Sequence, residues 1–277
     1  MKLRLLLPVL ILLIPGGDYV AQENPDPKQA ELAIWARLKT ITQADFKQLA
    51  TRAQSADPEA QYCLGRMYEE GILVGKDPDE AARWLLKSAE QGNMRAQRSY
   101  GLMAVHMNPS IGERWMLRAA EQGDSEAQFW LGLAYEQDWF GTMDDVLALK
   151  WYRKAAEGGD PDAQVYMGQK YADGDGVEQS YELAAEWFRK AAEHFPDLGG
   201  AGQGRYRLAS LYMDGLGVPR DYAQAYFWFS LQGPDGTAVA KTHLSVAQID
   251  KIDRAVREWK SKHHVSPDLA AALHIEN

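Results

Sequence analysis

A unit of 36 residues, written five times along the chain, constrains the fold more than any other feature. Its first half reads Ala-Gln, two residues, an apolar residue, Gly, two residues, Tyr. This occurs as Ala60, Gln61, Leu64, Gly65, Tyr68, as Ala127, Gln128, Leu131, Gly132, Tyr135, and as Ala163, Gln164, Met167, Gly168, Tyr171. Looser copies hold Ala96, Gln97, Tyr100, Gly101 and Gly204, Leu208, Ala209, Tyr212. Its second half centres on Trp84, Trp115, Trp151, Trp187 and Trp228. From opening residue to Trp the offset is 24 in four copies and 19 in the second; from Trp to the next opening it is 12 three times and 17 at the last junction. A unit this short cannot bury its apolar face alone, so the copies must stack on one another.

Within a unit, Ala60, Leu64 and Tyr68 recur every four residues, which puts them on one face of a helix. Ala81, Trp84, Leu85 and Ala89 mark a second helix in the same way. Small residues such as Ala60 and Gly65 allow close approach, and the Trp fills the remaining space. Turns between the helices carry Gly71, then Gly174 and Gly176, then Gly215 and Gly217. Gly92-Asn93, Gly123-Asp124 and Gly159-Asp160 read as a helix stop followed by an N-cap. Asp57-Pro58 and Asp160-Pro161 place Pro at a first helical position.

These residues resemble the Sel-one-like repeat, a relative of the tetratricopeptide repeat, over roughly 57–236. The resemblance implies an all-α fold: a right-handed α/α solenoid of about five helix-pair repeats with capping helices at both ends. The second copy departs most, with Ala104 where the Tyr belongs and a turn shortened around Asn108-Pro109.

The flanks fit this frame. Lys2 and Arg4 precede the apolar run Leu5 to Ile14 and then Pro15, Gly16 and Gly17. A basic start, a short apolar core and helix breakers read as an export signal over 1–21. That run falls short of the ~20 residues a spanning helix needs, so no stable membrane insertion is expected after its removal. Residues 27–54 read as an N-terminal cap or worn repeat, with Leu32, Trp35 and Leu38, then Phe46, Leu49 and Ala53, on apolar faces. Residues 245–262 read as a capping helix striped by Val246, Ile249, Ile252, Val256 and Trp259, with Ser245 and Gln248 at capping-box spacing. Residues 263–277 read as a flexible tail. A lone cysteine, Cys63, excludes an internal disulfide and any zinc site needing two thiolates. Inside a helical repeat it reads as a small buried apolar residue.

Chemistry-bearing patterns are sparse. His106, His194, His243, His263, His264 and His274 include no two-His zinc helix. Asp173-Gly174-Asp175-Gly176 begins like a calcium loop, but Val177 stands where a third oxygen ligand is needed. There is no Ser-x-x-Lys and no Gly-x-Ser-x-Gly. No catalytic, metal or cofactor-binding residue is therefore assigned, and no cofactor is expected. A net charge of −9 argues against a nucleic-acid partner.

In tetratricopeptide relatives, ligands contact first-helix positions two before and two after the apolar residue that precedes the Gly. Carried over, the earlier position holds Tyr62, Arg98, Phe129, Val165 and Tyr206, and the later one holds Arg66, Leu102, Leu133, Gln169 and Ser210. Tyr and Arg are frequent interface anchors, so Tyr62, Arg66, Arg98, Phe129 and Tyr206 are the candidate protein contacts. Trp139 and Phe140, in an otherwise Gly-rich turn, either form an exposed contact or fold back to cap it.

The expected function is a monomeric, non-catalytic scaffold or adaptor, exported to the periplasm or secreted, that binds a protein partner. The resemblance leaves a sharper alternative: a periplasmic immunity protein neutralising a phospholipase-type effector of type VI secretion. A cell-wall or β-lactam amide hydrolase and a head-to-tail homo-oligomer stand behind these.

Overall fold

The computed structural model describes residues 31, 34, 38–194, 199–233 and 236–263. The export segment, Leu32, Trp35, His264, His274 and the rest of the tail past His263 lie outside them. Among the described residues the chain is helical throughout, with no strand. Residues 31, 34 and 38–40 are helical, followed by α1 (Gln43–Gln54). Five helix pairs follow: α2 (Pro58–Glu70) and α3 (Pro78–Glu90), α4 (Met94–Val105) and α5 (Pro109–Glu121), α6 (Ser125–Glu136) and α7 (Asp145–Glu157), α8 (Pro161–Asp173) and α9 (Tyr181–Ala192), α10 (Ala201–Asp214) and α11 (Tyr222–Gln232). The short α12 (Thr237–Lys241) and the longer α13 (Val246–Lys262) close the array. From α1 to α12 each helix packs on its chain neighbours, and α13 returns onto α11. This is an α/α solenoid.

The caps explain where helices begin. Asp57, Asn93, Asp124 and Asp160 each accept a hydrogen bond from a backbone N–H in the first turn of α2, α4, α6 and α8. Asp77, Asn108, Asp144, Ser180 and Asp221 do the same for the second helices. Ser245 and Gln248 form the reciprocal capping box on α13.

The motif glutamine has a structural task that spacing alone does not disclose. The Nε2 groups of Gln61, Gln97, Gln128 and Gln164 donate to the carbonyls of Ala53, Ala89, Ala120 and Ala156, at 2.9 to 3.2 Å. Each stitches a first helix to the end of the helix before it, where carbonyls lack intrahelical partners. In the last unit Arg205 takes over, its Nε donating to Ala192 and a terminal nitrogen to His194. The motif glycine permits contact between the paired helices. A Cβ on Gly132 would stand 2.5 Å from the Tyr152 ring, and one on Gly168 2.5 Å from the Phe188 ring. The shortened second unit closes its turn through Gly112, whose added Cβ would meet Val105 at 2.5 Å.

The core runs along the array in consecutive clusters, from Ile34 and Leu38 at one end to Val256 at the other. Val246 is 74% exposed and does not join the stripe of α13 that buries Val256; it begins that helix, where its side chain clears α11.

Candidate functional site

The first helices of the units carry two adjoining features, one ionic and one aromatic. The ionic one centres on Arg98 of α4, whose side chain is 5% exposed. One terminal nitrogen donates to both oxygens of Asp124, at 2.9 and 3.0 Å, and lies 3.1 Å from Glu126. The other bonds Glu31, from 67 residues away. Burial alone would lower the Arg98 pKa, but Asp124, Glu126 and Glu31 outweigh it and hold the guanidinium charged. Burial would likewise raise Glu31, but Arg98, with Arg95 and Arg66, pulls its carboxyl below the usual range.

The aromatic feature begins where the ionic one ends. Glu126, which pairs with Arg98, also accepts from Trp130 Nε1 at 3.5 Å. Trp130 lies 6.0 Å from Trp139 in the following turn and 6.1 Å from Phe129, centroid to centroid. Phe129 meets Tyr166 of α8 edge-on at 5.6 Å and Tyr152 of α7 at 5.8 Å. Phe129, Trp130, Trp139 and Tyr166 are partly buried, whereas Tyr152 beneath them is fully buried. The seam therefore crosses units three and four with part of each outer ring open to solvent. Past Tyr166, Glu136 accepts from the Tyr152 hydroxyl at 2.8 Å and from Lys170 at 2.6 Å, and Lys170 reaches Asp175 at 2.5 Å.

The five candidate contact residues thus fall into different surroundings. Tyr62 is fully buried, its hydroxyl donating to Glu31 at 3.3 Å. Tyr62 and Arg98 do not lie open, and both bond the Glu31 carboxylate. Arg66 is partly buried beside Ser99 and Glu69. Tyr62, Arg66 and Arg98 are brought together around Glu31; Phe129 belongs to the adjoining seam. Tyr206 stands apart, 51% exposed, with its ring against Phe229. Trp139 and Phe140 fold back, onto Trp130 and Tyr135 respectively, while staying partly accessible.

Sequence reasoning passed over Glu31, Glu126, Trp130 and Tyr166. Trp130 carried a signal: it is a tryptophan outside the repeat's own Trp position, where other copies hold Cys63, Ser99, Tyr166 and Arg207.

The Cys63 thiol is buried and its pKa is pushed up, first by burial and then by Glu59. The phenols of Tyr62, Tyr135 and Tyr152 are also held protonated, chiefly by burial. In the turn after α8, Asp173 accepts from Gln169 and Asp175 from Lys170, so both carboxylates are engaged within the fold. Among the described residues no group of three His, Cys, Asp or Glu is placed to hold a metal ion. No helix among them is long and apolar enough to cross a membrane.

Comparison with known proteins fits the geometry. The crystal structure of a Sel1 repeat protein from Oxalobacter formigenes is 26% identical, with a TM-score of 0.57, over 82% of this chain and 88% of that one. Immunity protein Pa5087 of Pseudomonas aeruginosa is 18% identical over 76% of this chain and 83% of that one, with a TM-score of 0.49. The sel1-like repeat-containing protein L18 of Acanthamoeba polyphaga mimivirus is 43% identical over 51 residues, 18% of this chain and 8% of that protein. This chain's match thus spans less than a tenth of that relative's length. The Sel1 repeat model matches residues 58–93, 98–124, 125–160, 161–194 and 202–231. Those five matches cover more than half of the sequence, so the chain belongs to the Sel1-repeat family.

Proposed function

We propose that this protein is an exported, non-catalytic scaffold that docks a protein partner on the first helices of its middle units. The Sel1 repeat is a protein-interaction fold, which supports the general reading. The seam of Phe129, Trp130, Trp139 and Tyr166 carries the particular one. Large aromatic rings left partly open and clustered across two units are frequent anchors of a protein interface. The basic-then-apolar start of the chain supports export.

The test is capture followed by reconstitution. The tagged chain, expressed in its source cell, is used to recover a partner, and the partner is then purified and titrated directly. A partner that binds the parent protein, and binds at least tenfold more weakly after Trp139→Ala or Tyr166→Ala with unchanged helicity, supports the reading. Equal binding by both variants overturns the site. No partner in any compartment overturns the scaffold itself. Were the partner a phospholipase-type effector inhibited on binding, the role would be immunity. Fractionation of cells expressing the chain with and without residues 1–21 tests export separately.

A further inference from the structure

Four successive second-helix tryptophans in this chain are covered by a cation from their own helix. The ammonium of Lys87 lies 4.2 Å from the Trp84 ring centroid, and that of Lys154 4.5 Å from Trp151. Arg118 lies 4.6 Å from Trp115 and Lys190 3.9 Å from Trp187. The spacing is three residues each time, one helical turn. Such contacts are favourable because the electron-rich face of an indole attracts positive charge.

Among the described residues the fifth repeat tryptophan, Trp228, lacks such a cover, and so do Trp130 and Trp139, which lie outside the repeat position. Among the described residues no Lys or Arg is placed over either ring. Their indole N–H groups turn instead to oxygens, Glu126 at 3.5 Å and Gln137 at 3.2 Å. Residues 119–149 around them contain seven Asp or Glu and no Lys, Arg or His. Asp124 and Glu126 are answered by Arg98 and Glu136 by Lys170, but Asp138, on the turn that carries Trp139, and Asp145, at the start of α7, are exposed. The same turn leaves Met143 68% exposed and, where α7 begins, Val146 82% exposed. The surface is apolar and aromatic, with the exposed carboxylates of Asp138 and Asp145 on the same stretch of chain.

We infer that the Trp130–Trp139 pair is a socket for an arginine- or lysine-bearing segment of the partner protein, whose cation would lie over rings that no cation covers among the described residues. This rests on the protein-binding reading above and adds the chemistry of what is bound. The charge decides among occupants: the exposed carboxylates of Asp138 and Asp145 repel an acidic segment or a nucleic acid and attract a basic one. Arginine suits the socket best, because its flat guanidinium stacks on indole while its edge donates to carboxylates.

The test uses the whole chain with nitrogen-labelled indoles and an alternating glycine–arginine peptide as probe. A twin peptide with citrulline in place of arginine keeps the shape and loses the charge. The indole signals of Trp130 and Trp139, assigned from Trp130→Phe and Trp139→Phe, are expected to shift and saturate with the arginine peptide. Those of Trp84, Trp115, Trp151 and Trp187, already covered, should stay. Trp139→Ala should weaken the peptide roughly two- to thirtyfold, the range of one cation–ring contact. Asp138→Asn gives a second readout that leaves the rings untouched. Asn tolerates the left-handed backbone of that position, φ 58°, so the fold is kept while affinity falls. An equal response to the citrulline twin, shifts confined to other indoles, or no shift would each overturn the inference. The scaffold reading is judged separately: a captured partner that still binds after its Lys and Arg are neutralised leaves that reading standing and removes this one.

Discussion

Trp139 folds back from the turn after α6 until its ring lies 6.0 Å from that of Trp130, tilted by 34°. Units one, four and five end their first helix on a glycine in the left-handed region: Gly71, Gly174 and Gly215. Unit three instead passes through Asp138 at φ 58°, with the Trp139 N–H donating to Ala134 at 2.9 Å. An aromatic clasp thus stands where the other units use glycine. Because the Trp139 ring is partly accessible and lies at the edge of the core, Trp139→Ala should cost less in urea unfolding than the ~3–5 kcal/mol of truncating a fully buried Trp. A larger loss would mean the ring is retained for stability.

Arg98 is different in kind. Its removal strands the carboxylates of Asp124 and Glu31 in a buried place, and truncating one partner of a buried ion pair costs about 3–5 kcal/mol. Arg98→Ala should therefore lower the denaturation midpoint more than Trp139→Ala. Arg98→Lys should recover only part, because a single ammonium cannot bridge two carboxylates as a planar fork does.

The same cluster fixes a pH dependence. The Glu31 pKa is lowered in the folded state from 4.5, because Arg98, with Arg95 and Arg66, outweighs the desolvation that would raise it. Asp57 is lowered from 3.8, its own desolvation outweighed by the Ala60 N–H and Arg52. A carboxylate with a depressed folded pKa stabilises fully above its unfolded pKa, and that contribution is lost as pH falls through the folded value. Thermal stability should therefore show no decline from these groups between neutral pH and about pH 5, then fall. Glu31→Gln should be less stable at neutral pH and should fall less steeply below it.

Much of this architecture was legible in the sequence. The five units, their capping residues and the capping box on α13 follow from residue type and spacing, because cap chemistry is local. The fate of Tyr62 and Arg98 was not legible. The resemblance implied that their position contacts ligands, but here Glu31, from outside the units, bonds both, and no local pattern announces a contact across 67 residues. The seam lay between these extremes. Position singled out Phe129 as a candidate, whereas Trp130 and Tyr166 occupy a site that alternates between small, polar and aromatic residues.

The motif glycines should tolerate no side chain. Gly168→Ala would drive a Cβ to 2.5 Å from the Phe188 ring, which is 2% exposed and cannot swing away. Overpacking of this kind costs about 1–3 kcal/mol, to be read from chemical denaturation. Phe188→Leu in the same chain should return part of the loss, because the smaller side chain vacates that space.

The central claim is that partners dock on the aromatic seam of units three and four. Amide hydrogen exchange of the free protein and of its complex with a purified partner tests it most directly. The account expects new protection in residues 125–140 and 161–173, the first helices α6 and α8 with the start of the turn bearing Trp139. Protection confined to other units, with those two segments exchanging as in the free protein, would contradict it.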